Sequence, residues 1–137
     1  MVQLKYGMAF FIFLYITSCS KKEDRVVPKT DKDNGGLFLP EGFGAVVVVD
    51  SIGPTRHLAV NDNGDIYVKM RTPKGDKGNI ALRDTDGDGK ADIIQRFGKY
   101  RNDGTFATEM RIHNGYLYFS SELVIYQQNL TPFKLIP

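Results

Sequence analysis

Apolar residues in this chain come in short runs or at alternate positions, and glycine, asparagine, aspartate and proline separate them. That spacing predicts β-strands joined by turns, and no segment sustains a helical period. Val46–Val49 is an unbroken valine run ending at Asp50, which predicts a strand buried on both faces. Ser51–Pro54 predicts a turn. Arg56–Val60 and Ile66–Met70 predict two strands facing each other across Asn63-Gly64, a dipeptide suited to a type I′ turn with positive φ at both central residues. Thr72–Lys77 predicts a polar loop. Asn79–Arg83 and Ile93–Phe97 predict strands entering and leaving an acidic loop, and Gly98–Thr105 another loop. Met110–His113 and Tyr116–Ser120 predict a second hairpin across Asn114-Gly115, followed by a strand at Val124–Gln127.

The two hairpins read as a repeat. Arg56–Val60, Asn63-Gly64 and Asp65–Val68 form one copy. Met110–His113, Asn114-Gly115 and Tyr116–Phe119 form the other, offset by about 50 residues. A repeat of that length with about four strands is the mark of a propeller blade. The fold class is therefore read as all-β, a partial β-propeller with less than two blades of four-stranded antiparallel sheet. Blade one would span 55–97 and blade two would begin near 107 and break off. Val46–Val49 would complete a blade supplied mainly from elsewhere. A small β-sandwich with two Asn-Gly hairpins accommodates the same pattern.

The start of the chain has a different character. Lys5 precedes an unbroken apolar run, Met8–Ile16, too short to span a bilayer but suited to the core of a signal peptide. The run ends in Ile16, Thr17, Ser18 and Cys19, which resembles the bacterial lipobox. Residues 1–18 are thus read as a lipoprotein signal peptide and Cys19 as the lipidation site, anchoring the chain to a membrane of the bacterial cell envelope on its periplasmic or outer-membrane face. An ordinary secretory leader with an incidental cysteine is the competing reading. Residues 19–36 are charged and end in Gly35 and Gly36, so they are read as a flexible tether, with folding expected from Leu37.

Composition narrows the function classes. The chain has 137 residues and a formal net charge of +2 with acids and bases interspersed, which gives no basic stripe for nucleic acid. A single cysteine excludes a disulfide framework within one chain. The clearest chemical motif is Asp84–Asp92, where Asp84, Asp86, Asp88 and Asp92 occupy loop positions 1, 3, 5 and 9 of an EF-hand-like spacing. Calcium takes six to eight oxygens, and carboxylates on alternate residues of a tight turn can converge on it. The Lys90 carbonyl, at position 7, would add a ligand. Gln95 stands where an EF-hand has its bidentate glutamate, and the flanks read as strands, so the expected site is an EF-like loop in a β context. The alternative is a glycine-rich hairpin loop with solvated carboxylates. No general base poised near neutral pH is evident.

The stretch Leu39–Phe43, then Gly53–Val60, Asn63–Val68, Ala81–Asp92 and Asn114–Tyr118 resembles, in order and spacing, the start of the glucose/sorbosone dehydrogenases. The resemblance covers about residues 37–128. It implies a six-bladed propeller of periplasmic or secreted type that oxidises a sugar or aldehyde with pyrroloquinoline quinone (PQQ). In that family calcium holds the quinone at one end of the central channel and a histidine acts as base. The acidic loop, between outer strands, is not that calcium site. The resemblance also implies that the catalytic histidine and most cofactor contacts lie in later blades, so this chain is expected to be an N-terminal portion, inactive alone. His113 beside its turn is read as a surface residue, and His57 as a strand packing residue. Arg56, at the start of the innermost strand, is the candidate for meeting the quinone carboxylates; a solvent-paired arginine is its competing reading. A non-enzymatic, calcium-stabilised envelope lipoprotein binding a partner or glycan is the alternative function.

Overall fold

The computed structural model describes residues 27–99 and 109–137. The predicted leader, Cys19 and residues 19–26 of the predicted tether lie outside the described residues, as does most of the predicted loop at 98–105.

Among the described residues, seven strands form two antiparallel sheets. The first contains β1 (Thr55–Val60), β2 (Ile66–Lys74), β3 (Lys77–Arg83) and β4 (Ile93–Lys99) in sequential order. The second contains β5 (Met110–His113), β6 (Tyr116–Ser120) and β7 (Ile125–Asn129), also in sequential order. Neither sheet closes on itself. The chain is all-β, one complete four-stranded propeller blade followed by a shorter one, in the order that the hairpin repeat predicts. A single 3-10 turn, Asn34–Gly36, is the only helical element among the described residues.

Alternation along the strands decides which face is covered. Ala59, Tyr67 and Ala81 lie opposite one another across β1, β2 and β3. Their face, with Phe97, packs on Met110, Leu117 and Phe119 of the second sheet, and Leu135 from the chain's end joins them. Tyr67 meets Phe97 edge-on at 6.0 Å, Phe97 meets Phe119 edge-on at 6.4 Å, and Phe119 stacks on Tyr126 at 5.2 Å. Aromatic pairs in these arrangements stabilise a core by about 0.5–1.5 kcal/mol beyond the apolar area they bury. The Tyr67 hydroxyl donates to the Leu135 carbonyl at 3.1 Å, so its polar tip is satisfied inside the core. The first strands of the two sheets, β1 and β5, also touch.

The opposite face of the first sheet carries Leu58, Val68 and Ile80 in one row and Val60, Ile66, Leu82 and Ile94 in the next. Val68, Met70, Ile80 and Leu82 are buried there beneath Val49 and Ile52. The preceding segment therefore crosses this face as a strap. This corrects the reading of Val46–Val49 as a doubly buried strand. The segment belongs to neither sheet, and Val47 is 38% exposed. The Val48 carbonyl accepts from Ala91 at 2.8 Å, Arg96 donates to the Ile52 carbonyl at 2.8 Å, and these bonds fasten the strap to the sheet.

Three further expectations change. β2 continues through Lys74, so Thr72–Lys77 is not a loop. It is the end of β2, a two-residue turn and the start of β3. The register is irregular between Lys69 and Lys74, which accommodates Pro73 where a regular ladder would lack its donor. The Asn63-Gly64 turn is not type I′. Gly64 has φ 89°, but Asn63 is not among the positive-φ residues. Gly64 instead closes a turn by donating to the Asn61 carbonyl, as a type I turn followed by a left-handed glycine does. Asn114 and Gly115, at φ 48° and 77°, do form the predicted type I′ geometry. Finally, the contacts of the domain reach back before Leu37. Asp31 bonds to both Ala45 and Val47, and a Cβ on Gly44 would lie 2.2 Å from Thr30.

Candidate functional site

β3 and β4 run antiparallel with Arg83 opposite Ile93, and the acidic loop closes the gap between them. Its conformation follows from carboxylates accepting from nearby backbone. Asp84 Oδ1 accepts from Gly87 at 2.7 Å and from Asp86 at 3.2 Å, and its Oδ2 accepts from Gly89 at 2.8 Å. Asp86 Oδ1 accepts from Asp88 at 3.1 Å, and Asp88 Oδ1 accepts from Lys90 at 2.7 Å. Each bond coils the chain around the next carboxylate, so that one oxygen from each of Asp84, Asp86 and Asp88 comes within 4.8 Å of the others. Calcium–oxygen bonds are about 2.3–2.6 Å, so oxygens on opposite sides of one ion stand about twice that apart, and the three carboxylates fit a single calcium.

Gly89 is required at the loop's tightest point. It has φ 88°, and a Cβ there would lie 2.7 Å from Pro28 Cβ. The loop is also tied to the strap. Lys90 Nζ pairs with Asp31 at 3.1 Å, and Asp31 accepts from the Val47 N–H at 2.8 Å. The Val47 bond and the Lys90 ammonium hold the Asp31 carboxyl below the usual range, while Asp31 raises Lys90. Asp84 is lowered chiefly by the Gly87 and Gly89 N–H groups.

Asp92 stands apart from the converging three. Its Oδ2 accepts from both the Thr85 hydroxyl, at 2.6 Å, and the Thr85 N–H, at 2.7 Å. Those two bonds lower its carboxyl, against the repulsion of Asp84. Asp92 therefore clasps the loop's two ends together, a task for which Thr85 is the partner that position counting did not single out. The Lys90 carbonyl remains the expected seventh-position ligand, and its N–H already serves Asp88.

The same end of the sheet holds a second charged group. Asp65 is 2% exposed and binds Arg83 through two bonds of 2.6 Å each, and Asn63 donates to it at 2.9 Å. Burial pushes the Asp65 carboxyl up, but the Arg83 and Asn63 hydrogen bonds and the Arg83 charge outweigh it, and the net position is below the usual range. Burial, with Asp65 close by, pushes the neighbouring Tyr67 phenol up to about 12. This cluster braces the β1–β2 turn and faces the core; it is structural.

Arg56 lies on β1 beside a hollow of about 290 Å³ lined by Thr55, His57, Leu58 and Val68. Arg56 is half-buried and engages another group of the protein. A polycarboxylate quinone needs several donors converging on one place, and this hollow offers one cation, Arg56, with Thr55 and His57 beside apolar Leu58 and Val68. The described residues alone do not make a quinone site. His113 is exposed at the end of β5, opposite Tyr116, as expected of a residue beside a turn. His57 is half-buried on β1, opposite Lys69. No catalytic constellation forms among the described residues. No helix among them is long and apolar enough to cross a membrane.

No family model, curated protein or solved structure matches the chain.

Proposed function

We propose that this chain supplies the first blades of a quinone-dependent sugar or aldehyde dehydrogenase of the glucose/sorbosone type, held at the cell envelope by a lipid on Cys19 and inactive by itself. The observation that carries the reading is positional. The motifs that resemble that family, from Leu39 to Tyr118, fall in order on the strap, on the strands of one complete blade and on the first hairpin of the next. The substrate would be an aldose or aldosone, PQQ would take the hydride, and the base would come from later blades. Arg56 is the one residue of this chain assigned toward the quinone carboxylates.

The test starts with membrane fractions of the source cells and antibodies against 37–137. The expected result is a lipidated species several times larger than this chain that, once immunoprecipitated, oxidises glucose or sorbosone in a dye-linked assay requiring PQQ. The 137-residue chain with PQQ and calcium should give no such activity. A captured species of full size with no quinone-dependent oxidation overturns the reading.

A second reading rests on the convergence of Asp84, Asp86 and Asp88. Here the chain is a calcium-stabilised envelope lipoprotein that binds a partner or glycan without catalysis. The calcium part is common to both readings, and a melting temperature that does not respond to calcium removes it from both.

A further inference from the structure

The fold sorts charges that the sequence mixes. The chain has a formal net charge of +2 with acids and bases interspersed. In the first sheet, the end holding the β1–β2 turn and the β3–β4 loop carries Asp62, Asp65 and the four aspartates of the acidic loop, against Arg83 and Lys90. At the opposite end, the β2–β3 hairpin and the last residue of β4 carry Arg71, Lys74, Lys77 and Lys99. Asp76, in the hairpin's turn, is the one acid paired with that group among the described residues, 4.0 Å from Lys99.

Register lines three of these cations up. Lys74 is the direct partner of Lys77, and Lys77 is the direct partner of Lys99. Direct partners point to one face of a sheet, and neighbouring strands lie about 4.7–4.9 Å apart, so the three form a row across β2, β3 and β4. Like charges placed directly opposite one another destabilise a sheet. Asp76 relieves this only weakly, since its pair with Lys99 is 57% and 86% exposed. Arg71, Lys74 and Lys77 form no ion pair among the described residues. All three lysines of the row are exposed with the second sheet in place. The row lies at strand ends, so further blades stacking face to face beside these two leave it open.

We propose that the Lys74–Lys77–Lys99 row binds an anionic polysaccharide, whose carboxylate or sulfate groups meet successive lysines. Two observations select that partner. The hairpin from Arg71 to Gly78 holds no aromatic residue and, apart from Pro73, no apolar side chain. A specific protein interface is anchored by buried aromatic and apolar groups, and a membrane-inserting loop needs them too, so this surface fits a partner held by charge. The described chain also enters at the far end of the sheet, where Pro28 lies against Gly89 of the acidic loop. With the lipid of the proposed function on Cys19, the basic row stands a strand's length farther from the anchor than the acidic loop does. The choice of a polysaccharide over a lipid headgroup rests on that anchor; the row itself does not. The inference makes the glycan of the second reading above an acidic one.

The test titrates the full chain with Cys19→Ser, in mild detergent, against labelled dextran sulfate, alginate and neutral dextran. The two anionic polymers should bind at low salt and release at high salt, and dextran should not bind. Replacing Lys74, Lys77 and Lys99 together by Gln should weaken binding about tenfold, the combined effect of three exposed ion pairs. Replacing Lys29, Lys32 and Lys134 together by Gln removes the same charge elsewhere and should leave the affinity within about twofold. A second measurement needs no variant. Acetylation of the starting chain should be blocked by dextran sulfate at Lys74, Lys77 and Lys99 and not at Lys29 or Lys134. Equal weakening in the two triple variants, or uniform protection, means attraction to net charge and overturns the proposal. So does tighter binding to phosphatidylglycerol vesicles or duplex DNA than to either polysaccharide. None of these outcomes bears on sugar oxidation, whose test is the immunoprecipitated species above.

Discussion

The two Asn-Gly hairpins have nearly the same sequence cue and do not have the same structure. At the β5–β6 turn, Asn114 and Gly115 both take positive φ, His113 pairs directly with Tyr116, and the turn is a bare two-residue connection. At the β1–β2 turn only Gly64 does so, and the loop widens to run from Asn61 to Asp65. The difference lies in the residue that follows the glycine. Tyr116 is solvent-facing, whereas Asp65 is buried and binds Arg83 on β3 through two bonds. Asn63 then turns its side chain toward Asp65, accepting from the Asp65 N–H at 3.1 Å and donating to the Asp65 carboxylate. A buried ion pair thus outweighs the local preference of a dipeptide. The preference itself is a fraction of a kilocalorie to about one, and removing one partner of a buried pair costs about 3–5 kcal/mol.

The largest expected effect follows directly. Asp65→Ala leaves the Arg83 guanidinium without its partner, and because Arg83 is 25% exposed the loss should be at the low end of that range, about 3 kcal/mol in denaturant unfolding. The corresponding change in the second hairpin, Tyr116→Ala, should cost less than about 1 kcal/mol, because it removes an exposed side chain. Equal losses would mean that the first turn is not set by the ion pair.

Calcium should act on the complete blade next. At about a hundredfold excess over its dissociation constant, an ion bound by Asp84, Asp86 and Asp88 adds about 2.7 kcal/mol to the native state. The melting temperature should rise with calcium, fall with chelator and lose its response in Asp86→Asn with Asp88→Asn. Thr85→Val, which takes the hydroxyl from Asp92, should weaken the response without abolishing it.

A smaller contrast tests the turn types themselves. Asn114→Ala places a residue that disfavours the left-handed region at φ 48° and should cost about 1–2 kcal/mol with no energetic coupling to Asp65. Asn63→Ala should couple to Asp65→Ala in a double-mutant cycle, since the two side chains bond each other. The reverse pattern of coupling would contradict the geometry described here.

The pH dependence should report on the first hairpin. Asp65 sits below its ordinary value of 3.8 in the folded chain, so its contribution is complete above that value and disappears as pH falls through the lower folded value. Asp65→Ala should flatten that acid limb. Tyr67 is raised to about 12 from 10.0, so the unfolded chain ionises first and stability should decline between those values as pH rises. Tyr67→Phe should remove the alkaline decline, read from unfolding midpoints across that range.

Much of the fold is legible in the sequence. The strands at Arg56–Val60, Met110–His113 and Tyr116–Ser120 are β1, β5 and β6 almost to the residue, because alternation and Asn-Gly turns are local signals. The converging carboxylates of the acidic loop were legible for the same reason, since Asp84, Asp86 and Asp88 are near neighbours in sequence. Thr72–Lys77 is not legible as strand and turn, because a register irregularity that only the sheet supplies lets β2 pass through Pro73. Val46–Val49 misled in another way. Its residues favour a strand, but a strand needs a partner edge, and within this chain the segment finds a sheet face instead.

Interactions a few residues apart set most of the strands, their sequential order, the type of the Asn114-Gly115 turn and the coiling of Asp84–Asp88. Contacts between distant segments set the rest. They buried Asp65 against Arg83, tied Lys90 to Asp31 across the strap, and gave Asp92 to Thr85 in place of the carboxylate cluster. The physical reason is that burial and pairing across distant segments depend on which sheet faces meet. That choice is made by the summed apolar area of Tyr67, Phe97, Phe119 and their neighbours, and no single stretch of the chain encodes it.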